Sequence, residues 1–315
     1  MIEIETPSSV DIPSNIKRSL SKTAARLRAL GEQDFVNKQL ESPSTYLIRS
    51  PGKYVRPLLV FVGATALGKD PGRYVDLAAS IELLHTASLV HDDIIDGDTI
   101  RRGKSSVHIA YSVDSAILAG DALIAKSILL ASPYGSEVIS AISEAAMEMC
   151  AGEMLDYECQ SKREVPSKKR YIEIARLKSA SLIGTAASIV AVHEHSGDID
   201  ALREFGVKVG TAFQIRDDVL NFAGMNDSRP KSTGNDASGF RPNIVSVLQA
   251  ASAGPDDALA RALELNNSLI DEACRGLEAS ASAKQFTRYA DMIRVRAKGA
   301  SPRRSNDALN YSAHA

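Results

Sequence analysis

Residues 83–104 read LLHTASLVHDDIIDGDTIRRGK. The pattern is that of a strongly apolar helix ending in acid, followed by a charged, glycine-containing loop. Asp92 and Asp96 are four residues apart and share a helical face, with Asp93 beside them. Three carboxylates this close repel one another unless a cation stands among them. Magnesium suits the place: it takes carboxylate oxygens, keeps several waters and shares phosphate ligands with a substrate. One such cluster is weak evidence by itself, because acids also decorate ordinary solvated helix ends.

A second acidic pair stands in FQIRDDVLNF, residues 213–222. Asp217 and Asp218 again lie in an apolar helix, with Asn221 four residues after Asp217 and Gln214 one turn earlier on a similar face. Two helices presenting carboxylates to each other would make a metal-lined mouth over an apolar cavity, able to hold a diphosphate through metal bridges.

Such a ligand also needs cations and N–H donors. GKYVRP, residues 52–57, places Lys53 and Arg56 at a helix start, where the dipole favours anions. Arg101, Arg102 and Lys104 follow the first cluster, and His85 precedes Asp92 by two turns. ARLKSAS, residues 175–181, puts Lys178 inside an apolar helix, where an unpaired lysine is rare. Lys231 sits in the loop after the second cluster. Singly, each has a plain alternative: a surface lysine, an arginine balancing Asp96 or Asp98, a satisfied core histidine. Two acidic clusters with all of these beside them are far harder to dismiss.

The rest of the chain agrees. Its 37 Lys+Arg against 39 Asp+Glu leave a net charge of -2, which argues against a nucleic-acid-binding surface. Cys150, Cys159 and Cys274 show no CxxC spacing and read as reduced thiols, not a disulfide or zinc framework. The opening MIEIETPSSVDIPSN lacks an apolar signal-like run. The longest apolar stretches are broken by charge within the ~20 residues a membrane span needs. A cytoplasmic protein, not an integral membrane one, is expected.

Helical periodicity runs nearly throughout. Helices are expected over 15–39, from Pro57 to near Gly68, from Pro71 to Asp96, and over 113–131 and 136–160. Others are expected over 167–192 with a break at Gly184, from a cap at Ser196–Asp198 to Phe222, and in two or three pieces over 243–298. GMNDSRPKSTGNDASGFRP, residues 224–242, is the most loop-like stretch. The expected organisation is a polar tail over 1–14, one helical domain over 15–299, and a disordered tail over 300–315.

GKYVRP, ELLHTASLVHDDIIDGDTIRRGK, LKSAS and FQIRDDVLNF, in that order and spacing, resemble the trans-polyprenyl diphosphate synthases. The resemblance covers about Gly52 to Lys231. It implies an all-α, single-domain antiparallel helical barrel around a deep central cavity, and a homodimer. It implies condensation of isopentenyl diphosphate with an allylic diphosphate, using Mg2+ as three ions when substrate is bound. Asp92, Asp93 and Asp96 would hold two ions, and Asp217 and Asp218 a third. Arg101, Lys178 and Lys231 would contact the allylic diphosphate, with Gln214 lining the site nearby. Lys53, Arg56, His85 and Arg102 would bind isopentenyl diphosphate. Two departures stand out: Asn221 replaces a third carboxylate, and SGFRPN has Phe240 where the family commonly has lysine, with Arg241 as a stand-in.

Product length follows from where the cavity ends. Ser88 lies one turn, about 5.4 Å, below Asp92, close to one isoprene unit. Farnesyl synthases of the family often carry bulky aromatics at the positions of Ala87 and Ser88. Their small size here implies more than fifteen carbons, with twenty, geranylgeranyl diphosphate, expected ahead of a longer product. Leu84 lies another turn down, and Ile117, Met154 or Tyr157 would close the cavity from facing helices. The competing readings are a class I terpene cyclase, which has little use for a second diphosphate site, and a non-catalytic partner subunit.

Overall fold

The computed structural model describes residues 4–5, 12–50, 52–224, 241, 243–250, 252–278, 280 and 282–297. The first half runs α1 (Ser14–Arg28), α2 (Lys38–Tyr46), α3 (Val55–Ala66), α4 (Val75–Ile95), α5 (Val107–Ala110), α6 (Val113–Ala131) and α7 (Ser136–Ser161). The second runs α8 (Lys168–Ala175), α9 (Ser181–His193), α10 (Ile199–Phe222), α11 (Ile244–Gln249), α12 (Pro255–Gly276) and α13 (Ala283–Ala290). The strands are two-residue pieces: β1 (Ile4–Glu5) pairs with β4 (Arg296–Ala297), and β2 (Ile100–Arg101) with β3 (Lys104–Ser105). The fold is all-α, as expected.

The boundaries follow local chemistry. Asn37, Ser112 and Ser167 cap α2, α6 and α8, each side-chain oxygen accepting from an amide three residues on. Asn243 and Ser246 form a reciprocal capping box on α11. Pro255 opens α12 at its first position, where no N–H is needed.

Three expectations need correction. The helix expected over 15–39 stops at Arg28, and ESPSTY lies inside α2 with Pro43 in its first turns. The Asn37 side chain, accepting from the Leu40 amide at 3.0 Å, starts this separate helix. The break expected at Gly184 falls instead at Arg176–Ala180, a π turn joining α8 to α9. Two stretches, 113–134 and 168–193, are long and apolar enough to cross a membrane by composition, although charge was expected to interrupt them. The second is 78% buried and is a core helix of this fold.

α9 is the centre: every residue from Ser181 to Ala191 is buried, which explains an apolar run without polar face. It packs against α3, α7 and α10, while α4 lies between α3 and α6 and α12 backs α10. Phe205 and Phe286 meet edge to face in this core, ring centres 5.1 Å apart. Removing such a ring costs about 3–5 kcal/mol. α9 and α10 approach closely because Gly206 lies against Gly184, where a Cβ would come within 2.7 Å of Gly184 Cα. That packing carries the end of α10 to the same cavity as the end of α4.

Candidate active site

A cavity of about 720 Å³ opens where α4, α7, α8 and α10 end. Asp92 and Asp96 line it from α4, and Asp217, Asp218, Asn221 and Gln214 line it from α10. The two acidic clusters therefore share one mouth.

Within each cluster the carboxylates do different things. Asp92 faces the cavity, and burial, reinforced by the Glu153 charge, pushes it up to about 8. Asp93 is fully buried and lines neither this cavity nor the one beside it. Its Oδ1 accepts from Arg101 Nε at 2.7 Å, while burial raises its carboxyl against that pull. The reason is helical geometry: adjacent side chains diverge by about 100°, so Asp93 cannot share the Asp92–Asp96 face. On α10, Asp218 accepts from the Tyr171 hydroxyl at 2.6 Å, the Ile244 amide at 3.0 Å and Gln214 Nε2 at 3.1 Å. It works as a structural hub at the cavity edge. Gln214 is oriented from its other side by Ser179 Oγ at 2.9 Å.

Lys178 sits in the π turn, where the widened helix brings its ammonium into the cavity. Its Nζ lies 2.7 Å from both Glu153 and Asp156 of α7, and these charges hold its pKa up against burial. Glu153 has neither oxygen in hydrogen-bond geometry and is raised by burial, with Lys178 opposing.

The basic side of the cavity begins with a strained residue. Tyr54, just before α3, has φ 48° and ψ 38°, a left-handed conformation uncommon outside glycine and asparagine. Lys53 and Arg56 on either side line the cavity with His85 and Arg102. Burial, with Arg56 and Arg102 adding to it, pulls His85 well below its usual range. Arg56 Nε and His85 Nδ1 are buried without hydrogen-bond partners; the Arg56 Nε–H is a donor that an anionic ligand would use, and His85 adds a second in the tautomer that carries its proton on Nδ1. Glu82, buried on α4, stands 3.5 Å from Arg102 and offsets part of this positive charge. The loop RRGK is a tight hairpin, with Arg102 at φ 51° and Gly103 at φ 75°, the two positive φ values of a type I′ turn. It separates the arginines: Arg101 binds Asp93 and Asp98, while Arg102 binds the Leu47 carbonyl at 3.1 Å.

A second cavity, about 420 Å³, continues from Asp92 and Lys178 between α4, α6 and α7. Its walls are mainly apolar: Leu84, Ser88, Ile95, Ile124, Ala146, Met149, Met154 and Tyr157. Ser88, Leu84, Met154 and Tyr157 are among its lining residues. Ala87 and Ile117 are not. Ala87 is fully buried in a separate core with Leu83, Val90 and Leu123, one residue off the tunnel face. Ile117 is exposed on α6.

The oxygen-only donor set suits magnesium. Among the described residues, no three His, Cys, Asp or Glu side chains stand close enough to cage an ion alone. A magnesium ion held by one or two carboxylates and completed by substrate phosphates needs no such cage. Lys231 and Phe240 lie outside the described residues, as does the tail 300–315. Glu82, Asp156, Gln160 and Tyr171 also line this mouth, and Glu153 lines the apolar cavity beside it; none of the five was expected there. Glu153 and Asp156 stand together in GEMLD, residues 152–156; Glu82, Gln160 and Tyr171 carry no local signal.

The site and the helical frame together define the isoprenoid synthase fold. Geranylgeranyl pyrophosphate synthetase from Pyrococcus horikoshii superposes with a TM-score of 0.76 at 27% identity, over 89% of this chain and 97% of that one. A short chain isoprenyl diphosphate synthase of Methanothermobacter thermautotrophicus is 34% identical over 247 residues, 76% of each chain. A geranylfarnesyl diphosphate synthase of Natronomonas pharaonis is 33% identical over 254 residues, 72% of this chain and 74% of that one. The profile of the family described as Polyprenyl synthetase matches residues 37–275. The chain belongs to this family, and it is a prenyltransferase of the polyprenyl diphosphate synthase class.

Proposed function

We propose that this enzyme joins isopentenyl diphosphate to an allylic diphosphate and releases geranylgeranyl diphosphate. The observation that carries the reading is the apolar cavity that begins at Asp92 and is lined by Leu84, Ile124 and Met149. Leu84 lies two turns, about 12 Å, below Asp92. With its first unit at the mouth, a three-unit allylic tail fills that depth. One addition yields four units, which no longer fit as an acceptor.

Asp92, Asp96 and Asp217 are the carboxylates best placed to hold magnesium, with Asp218 orienting its neighbours; three ions remain our expectation. Magnesium, when bound, would neutralise charge on the departing diphosphate. Lys178 and Arg101 supply fixed cations to the same group, aimed before any charge develops. Lys53, Arg56, Arg102 and His85 offer donors for the second diphosphate, with Lys231 assigned to the allylic one by resemblance. The apolar walls keep water from the allylic cation after its C–O bond breaks. The isopentenyl double bond attacks, a proton passes to the departing diphosphate, and no dedicated base is required.

We also read residues 15–299 as one domain acting as a homodimer in the cytoplasm. Three unpaired cysteines suit a reducing compartment. Leu118, Leu129, Met147 and Met154 expose an apolar stripe on α6 and α7 that a second copy would cover.

The test is product chromatography after supplying isopentenyl diphosphate, Mg2+ and allylic starters of ten, fifteen and twenty carbons. The expected product is twenty carbons from the shorter two, with the twenty-carbon starter left unextended. A cyclic hydrocarbon formed without isopentenyl diphosphate, or no product at all, would overturn the reading. Products of twenty-five carbons or more would favour a longer-chain synthase, consistent with the exposure of Met154 and Tyr157 along the tunnel's side.

A further inference from the structure

Arg241 follows the second acidic cluster in the chain, yet its guanidinium is bound to the first. Nη2 donates to Asp98 Oδ1 at 2.8 Å and to the Asp96 main-chain oxygen at 2.7 Å, and Nη1 donates to Asp98 Oδ2 at 3.2 Å. The Asp96 carboxylate stands 3.7 Å away. Three residues later, the Ile244 amide donates to Asp218 Oδ2 at 3.0 Å. Asn243 between them is held by its capping box with Ser246. The chain is thus fastened at one end to the terminus of α4 and at the other to α10. Three peptide links span at most about 11 Å, so the two fastenings limit how far the clusters can separate.

Arginine is suited to this place. The last carbonyls of α4 have no helical partner, and a cation there also complements the helix dipole. A planar fork can engage both oxygens of Asp98 and the Asp96 carbonyl together, which a lysine ammonium cannot do with the same geometry. Asp98 also accepts from Arg101 at 3.1 Å, so it stands between two guanidiniums. Losing Arg241 would leave Asp98 free to draw Arg101 from Asp93.

We propose that Arg241 is a positioning residue that, together with the Ile244 amide, sets the spacing of the two acidic clusters across the mouth. The inference rests on those clusters holding a magnesium diphosphate.

The experiment uses the full-length chain with Arg241→Gln, Arg241→Lys and Asp98→Asn. Thermal stabilisation by inorganic diphosphate is measured while Mg2+ is titrated, and KM is measured for each substrate separately. Arg241→Gln should need about 10–100-fold more Mg2+ for half-maximal stabilisation, the usual loss when a group orienting a metal ligand is removed. Its KM for the allylic diphosphate should rise, with that for isopentenyl diphosphate changed no more than about twofold, since the contacts of Arg241 go to Asp96 and Asp98 and not to Lys53, Arg56 or Arg102. Arg241→Lys should recover only part. Asp98→Asn should reproduce the glutamine variant, and the double variant should be no worse than either single one. An unchanged Mg2+ requirement in Arg241→Gln, or an equal loss for both substrates, would overturn this proposal alone. Wild-type protein that diphosphate and Mg2+ fail to stabilise would sink the functional reading beneath it.

Discussion

Gly152 on α7 lies directly against the main chain of Lys178: a Cβ at residue 152 would come within 2.2 Å of the Lys178 amide nitrogen and 2.7 Å of its Cα. The contact is with backbone, so no side-chain rotation relieves it. It is what lets the π turn and α7 approach closely enough for Lys178 to reach Glu153 and Asp156.

Gly152→Ala is therefore expected to do more than an ordinary glycine replacement in a helix. Overpacking costs about 1–3 kcal/mol, and the displaced turn carries Lys178 out of place. A lowered melting temperature together with a rise in allylic KM is expected. Full activity with unchanged KM would show that the turn tolerates displacement.

The two aspartates at 92 and 93 should separate in kinetics. Asp92→Ala removes a carboxylate facing the cavity and should lower kcat by about 10²–10³-fold, a loss of several kcal/mol of charge stabilisation. Asp93→Asn leaves that face intact but loosens Arg101, so its effect should fall mainly on allylic KM. Steady-state kinetics on both variants checks this; equal losses in kcat would place Asp93 on the metal.

Chain length offers a paired test on neighbouring residues. Ser88→Phe should block the tunnel one turn below Asp92 and shorten the product. Ala87→Phe should not, because residue 87 faces a closed core; it should cost stability instead, about 1–3 kcal/mol or more. Product chromatography and thermal melting on both variants decide it. A shortened product from a stable Ala87→Phe protein would put that side chain in the tunnel.

Far from the mouth, Glu194 is paired with Lys69 and accepts from the Tyr74 hydroxyl at 2.5 Å. These partners lower its carboxyl to about 2 from the ordinary 4.5. A depressed carboxylate contributes stability above its unfolded value, and that contribution fades as pH falls from about 4.5 toward 2. Screening by water limits it to on the order of 1 kcal/mol. Glu194→Gln should flatten this part of the stability–pH curve. An unaltered acid limb would mean that other carboxylates carry it.

Much of this enzyme was legible in one dimension. The apolar helices, the two acidic clusters and the basic residues between them depend on spacing along a helix, and spacing is a property of the chain. The sequence alone also implied small residues below the first cluster and a diphosphate chemistry. It could not say which side of a helix faces which neighbour. Asp93 turned to Arg101, Asp218 became a hub for Tyr171, Gln214 and Ile244, and Ala87 fell off the tunnel face by one residue. Glu82, Asp156 and Arg241 joined the mouth from distant parts of the chain. Those assignments depend on packing: a helix rotates by about 100° per residue, and only contact with other helices selects the angle at which it comes to rest.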